Sequence, residues 1–153
     1  MAKESLFNIL ANTIDFEGLK VLDLFSGTGS ISYEFVSRGS AHVTLVENDF
    51  YHFRFILKTI ESLKFSDRII PVKGDVFRFI AGCKEKFSLI FADPPYNLKN
   101  IKEVPGIIME KDMLRENGIM VMEHPGNCNF TDVKGYIRTR KYGSVNFSFF
   151  ERK

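Results

Sequence analysis

Residues 20–30 read Lys-Val-Leu-Asp-Leu-Phe-Ser-Gly-Thr-Gly-Ser: a short apolar run, two glycines, then the start of a helix. A run that is apolar throughout, rather than at alternate positions, predicts a β-strand covered on both faces, as in parallel sheets. The first such run is Lys20–Phe25 (KVLDLF). The pattern recurs at His42–Glu47 (HVTLVE), Ile69–Lys73 (IIPVK), Phe87–Ala92 (FSLIFA) and Gly118–Glu123 (GIMVME). Helical periods lie between the runs. Leu6, Ile9 and Leu10 share one face of an opening helix, and Ile31, Phe35 and Val36 share one face of the next. Phe50, Phe53, Leu57, Ile60 and Leu63 repeat at three- and four-residue steps. A further helix is predicted from Pro105 to Glu116, stopped by Gly118. Strand–helix alternation implies right-handed βαβ units and a mostly parallel, doubly wound α/β sheet. Tyr136–Arg140 and Ser144–Phe150, joined through Tyr142-Gly143, predict an antiparallel C-terminal hairpin on the sheet edge. The expected architecture is a three-layer open α/β sandwich.

With 153 residues the chain suits one domain, residues 1–153, since domains run about 100–200 residues. Hydrophobic residues make up 44% and charged residues 26%, which excludes collagenous, disordered and disulfide-scaffold classes. No apolar run approaches the ~20 residues that span a bilayer, and the opening MAKESLFNIL lacks the features of a secretion signal. Cys83 and Cys128 stand far apart and form no CxxC pair, so a reduced, cytoplasmic chain is expected. The net charge of +2 is uneven. From Thr131 onward, Lys134, Arg138, Arg140, Lys141, Arg152 and Lys153 face only Asp132 and Glu151, leaving +4 there and −2 on the rest. That bias points to an anionic partner.

Ligands of open α/β sheets sit beyond the carboxyl ends of the strands. There, Gly27 and Gly29 let the backbone turn tightly and approach a ligand. Glu47, ending the second strand twenty positions later, can accept both hydroxyls of a ribose. A dinucleotide fingerprint would need a third glycine where Ser32 stands, and no lysine follows to make a GxxxxGK[ST] loop. An acid before two glycines and a ribose carboxylate fit a nucleoside cofactor without a pyrophosphate, such as S-adenosylmethionine, with Asp23 facing its charged amino-acid end. Gly74-Asp75-Val76 ends the third strand. Asp75 can take an adenine amine and the Val76 N–H a ring nitrogen, or Asp75 can cap the next helix.

The fourth strand runs into Asp93-Pro94-Pro95-Tyr96. Two prolines end strand pairing and stiffen the turn. An amine on an aromatic base is a poor nucleophile because its lone pair is delocalised into the ring. The Asp93 carboxylate and the Pro94 carbonyl can together accept both amine hydrogens and draw that lone pair out, while Tyr96 stacks on the base.

In that order, DLFSGTG, Glu47, GDV and DPPY resemble the Rossmann-like S-adenosylmethionine-dependent methyltransferases that modify exocyclic amines. More narrowly, Glu4–Leu10 (ESLFNIL), Glu34–Gly39 (EFVSRG), Met122-Glu-His124 and Lys141-Tyr-Gly143 resemble the RsmD-type enzymes, which methylate the 2-amino group of a guanine in bacterial 16S rRNA. The resemblance implies Asp93, Pro94 and Tyr96 as catalytic residues. It also implies Asp23, Phe25, Gly27, Gly29, Glu47, Asp75 and Val76 as the cofactor site, and ribosomal RNA or the small subunit as partner. Family members carry a longer basic arm before the segment matching Glu4–Leu10, which here begins almost at Met1, so weaker RNA affinity is expected.

Arg138 and Arg140 are candidate phosphate contacts on the late hairpin. His42, His52 and His124 share no ligand spacing, so no metal is expected. In Phe50–Phe55 (FYHFRF), Phe50 and Phe53 are assigned to the core by periodicity, and Tyr51 and Phe55 have no assignment. A monomer is expected, with no membrane partner. Alternative acceptors are an adenine amine or a glutamine amide, and the alternative class is a non-catalytic cofactor- or RNA-binding module.

Overall fold

The structure, a computed structural model, describes residues 2–40 and 42–152. Five parallel strands form where the continuous apolar runs lie: β1 (Lys20–Leu24), β2 (His42–Glu47), β3 (Ile69–Lys73), β4 (Phe87–Ala92) and β5 (Leu114–His124). The tail supplies β6 (Tyr136–Tyr142) and β7 (Val145–Glu151), turning at Gly143 with φ +61°. The strand order is β3-β2-β1-β4-β5-β7-β6, and β7 runs antiparallel to both β5 and β6. The order reverses between β1 and β4, which opens a crevice at their carboxyl ends.

Helices cover both faces. α1 (Ala2–Ala11), α2 (Ser30–Ser37) and α3 (Phe50–Leu63) bury Leu6, Phe7, Phe35, Ile56 and Ile60 against one side of the sheet. α4 (Val76–Gly82) and α5 (Val104–Glu110) bury Val76, Ile80, Val104 and Ile108 against the other. The rings of Phe7 and Phe35 meet edge-to-face at 4.9 Å, which locks α1 onto α2.

Three sequence expectations need correction. First, α5 ends at Glu110 instead of Glu116, because Leu114 already pairs with Phe87 in the sheet. Gly118 therefore does not stop a helix. It sits inside β5, where the β4 register slips between Phe87 and Leu89, and a Cβ there would lie 2.8 Å from the Arg115 carbonyl oxygen. Second, no range was predicted for the helix that Asp75 can cap, because the seven residues of α4 are too few to show a helical repeat. Third, Phe50 is 53% exposed; the covered face of α3 runs through Ile56 and Ile60, with Phe53 half-buried. The first turn of α3 follows directly on the carboxyl end of β2, and its Phe50 and His52 line the cavity there.

Gly118→Ala should lower stability by about 1–3 kcal/mol, because the added methyl meets backbone oxygens that cannot move freely. Gly106→Ala, in α5 with no neighbouring atom near the new methyl, should instead gain about 0.5–1 kcal/mol. Urea denaturation of the two variants beside wild type reads both signs.

Candidate active site

β1 does not continue through Phe25. Phe25 takes φ +58°, a left-handed conformation that a non-glycine residue occupies at a cost. The turn continues through Gly27 at +59° and Gly29 at +84°. Gly29 precedes α2, where a side chain would collide with the Tyr33 hydroxyl. The loop is tied to β2 by the Gly27 N–H, which donates to Glu47 Oε1 at 2.7 Å, and the Asp49 N–H donates to Oε2 at 2.9 Å. A carboxylate offers about four acceptor positions, so Glu47 keeps one on each oxygen.

Asp23 lies beneath this loop, 1% exposed. The Ser32 hydroxyl donates to its Oδ2 at 2.7 Å, while Oδ1 has no hydrogen-bond partner. The serine that spoils the dinucleotide fingerprint therefore anchors the buried acid. Burial, opposed by the Ser32 hydrogen bond and reinforced by the charge of Glu47, pushes the Asp23 carboxyl up to about 7. The Ser26 hydroxyl oxygen is also buried without a partner. Unpaired buried polar atoms are uncommon and call for an explanation. An acceptor and a hydroxyl in one loop suit a ligand end that carries an ammonium and a carboxylate.

Above the loop opens a cavity of about 800 Å³. Phe25, Gly27, Glu47, Asp75, Val76, Asp93, Pro94 and Tyr96 line it, joined by Phe50 and His52. Asp23 and Gly29 are not among its lining residues. Asp75 caps α4 by accepting the Arg78 N–H at 3.0 Å, so the capping role holds and one carboxylate oxygen stays free. Phe77 closes on Phe25 edge-to-face at 6.2 Å. The nucleoside-sized space, the ribose-type acceptors and the orphaned Asp23 oxygen together fit S-adenosylmethionine.

The Asp93–Tyr96 turn forms the opposite wall, with the Asp93 N–H held by the Leu24 carbonyl and the Leu98 N–H by that of Pro95. Tyr96 is 46% exposed at the mouth. A partner was missed by sequence reasoning: Glu123, whose carboxyl is hydrogen-bonded to that of Asp93. Two carboxyls can share a hydrogen bond only if one carries a proton. Burial, then the charges of Glu123 and Asp23, raise Asp93 to about 8; burial raises Glu123 as well. The signal was the β4–β5 pairing, which sets Ala92 beside Met122 and so the two acids beside each other.

Arg138 and Arg140 are not brought to the cavity. Both lie on edge strand β6, and Arg138 spreads its guanidinium 5.1 Å from the Phe149 ring centre. Among the described residues no group of three His, Cys, Asp or Glu side chains could hold a metal, and no helix is long and apolar enough to cross a membrane.

A mostly parallel sheet with an antiparallel last pair, and a nucleoside-sized cavity at its switch point, is the Rossmann-like methyltransferase fold. The chain belongs to the family described as Conserved hypothetical protein 95, whose model matches residues 1–151. It is 30% identical over 157 residues to the Bacillus subtilis (strain 168) protein named "Putative rRNA methyltransferase YlbH", covering 99% of this chain and 84% of that one. It is 27% identical over 121 residues to the Escherichia coli (strain K12) protein named ribosomal RNA small subunit methyltransferase D, covering 79% of this chain and 60% of that one. A solved Streptococcus pyogenes structure, described as a conserved hypothetical protein, superposes with a TM-score of 0.87 at 26% identity and covers 99% and 95% of the two chains.

Two titrations follow. A carboxyl whose folded pKa exceeds its unfolded value binds its proton more tightly when folded. The Asp23 contribution to stability is therefore full below the unfolded value, 3.8, and is lost as pH rises through about 7. Urea unfolding between about pH 5 and 8 should show stability falling with pH in wild type and a flatter profile in Asp23→Asn. Glu123→Gln removes the like charge, so the Asp93 carboxyl carbon should titrate at lower pH in NMR; an unchanged midpoint would show that the two acids do not interact.

Proposed function

We propose that this protein transfers a methyl group from S-adenosylmethionine to the exocyclic 2-amino group of a guanine in 16S rRNA. The observation that carries the reading is the presence of Asp93, Pro94 and Tyr96 in the wall of the cavity that Glu47, Asp75 and Gly27 also line. Cofactor acceptors and an amine-binding turn within one small volume are what direct methyl transfer requires. The relatives named as rRNA methyltransferases support RNA as the substrate class.

The roles follow from the chemistry. When bound, the cofactor supplies an electrophilic methyl on a sulfonium. The free acceptor positions of Glu47 take ribose hydroxyls, Asp75 and the Val76 N–H read adenine, and Asp23 faces the charged amino-acid end from beneath the loop. Tyr96 stacks on the guanine, a contact worth about 1–3 kcal/mol. Asp93 and the Pro94 carbonyl accept the two hydrogens of the 2-amino group, which pulls the nitrogen lone pair out of conjugation and aims it. Forming the N–CH3 bond would break the methyl–sulfonium bond, leaving a neutral thioether and a positively charged nitrogen whose proton would pass to the Asp93 carboxylate beside Glu123. Asp93 must be ionised to accept, and positive charge in the cavity favours that form.

Label transfer from methyl-labelled S-adenosylmethionine to small subunits that lack the modification, followed by nucleoside analysis, should yield 2-methylguanosine. Label in adenine or in protein would overturn the choice of acceptor. Asp93→Ala should abolish transfer and leave cofactor affinity within a few-fold of wild type; retained transfer would remove Asp93 from its role.

A further inference from the structure

α3 presents an unusual outward face. Tyr51 is 77% exposed and Phe55 51%, although aromatic side chains are normally drawn into the core. Tyr51, Arg54, Phe55 and Lys58 follow the i, i+3, i+4, i+7 spacing that gathers residues on one side of a helix, and all four are exposed. They lie opposite Ile56 and Ile60, which face the sheet. Two aromatic rings therefore stand one turn apart, flanked by two cations, and the acid Glu61 comes only at the end of the row. Arg54 also lies 5.7 Å over the ring of Phe50.

The patch is continuous with the cavity. Phe50 and His52, in the same first turn, line its wall across from Tyr96. Aromatic faces interleaved with cations are the means by which proteins hold unpaired nucleic acid: rings stack on bases, and Arg and Lys meet phosphates. An apolar protein partner would call for the rings but give no use to the two cations.

We propose that Tyr51, Arg54, Phe55 and Lys58 form a docking surface for unpaired RNA, stacking the nucleotides next to the base that enters the cavity. The inference rests on the reading that the substrate is RNA. It adds a track by which the strand is gripped on the β2–α3 side, away from the basic hairpin.

The chain has no tryptophan, so Tyr51→Trp installs a single reporter at the patch. Titration with an unstructured RNA oligonucleotide should quench its fluorescence, while an RNA duplex should not. Ile70→Trp, exposed on β3 away from α3, should stay unquenched with either. Tyr51→Ala combined with Phe55→Ala should weaken single-stranded RNA binding at least tenfold, with cofactor affinity and thermal melting unchanged, since neither ring is in the core. Arg54→Gln combined with Lys58→Gln should flatten the dependence of binding on salt. If wild type methylates rRNA while the aromatic double variant binds and methylates RNA as well as wild type, the surface is refuted and the proposed function stands. If wild type neither binds nor methylates RNA, both fall. Quenching by ribosomal proteins and not by RNA would also overturn the assignment.

Discussion

Four carboxyl groups, Asp23, Glu47, Asp93 and Glu123, converge at the carboxyl edge of the sheet, and holding them there costs both desolvation and like-charge repulsion. Each is restrained differently. Glu47 is satisfied by two backbone N–H groups, which also shape the loop after β1. Asp23 is held by Ser32 and keeps one oxygen unpaired. Asp93 and Glu123 stand side by side, and burial raises both. The left-handed turn at Phe25 and the double proline after Asp93 follow from the same demand: the backbone must stop pairing where the carboxyls need room.

Much of this was legible in the sequence, and for definite reasons. Strands buried on both faces read as continuous apolar runs, so β2, β3 and β4 have the bounds that the sequence predicts. The loop residues Gly27 and Gly29 and the Asp93–Tyr96 turn carry backbone constraints that few other residues could meet. The α5–β5 region was misread because glycine serves two purposes. At Gly118 it permits close strand approach at a register slip, and in sequence that resembles a helix stop.

A further misreading arises because one-dimensional spacing cannot say what covers an element. Along α3 the series through Phe50, Phe53, Leu57 and Ile60 and the series through Phe53, Ile56 and Ile60 both satisfy helical periodicity. The structure covers Ile56 and Ile60 and leaves Phe50 and Leu57 exposed, which decides between them. Arg138 and Arg140 lie on edge strand β6, on the hairpin where the sequence places them, and do not line the cavity. Charged side chains there also discourage pairing with a second sheet. Glu123 was invisible as a partner because thirty residues separate it from Asp93, and only the β4–β5 register joins them.

The charge concentrated at the edge also bears on the order of events in the proposed reaction. Burial and the neighbouring acids push Asp93 toward its protonated form, and a protonated carboxyl can still accept a hydrogen bond from the amine but cannot take up the proton it releases. A cation held near these acids would shift that balance, because an opposite charge nearby favours the ionised form of each. Cofactor binding would thus create the acceptor that the substrate amine requires. A guanine that arrived first would meet a carboxyl less able to take up its proton. The like-charge crowding that weakens the empty fold is, on this account, what makes the site depend on its cofactor before it engages a base.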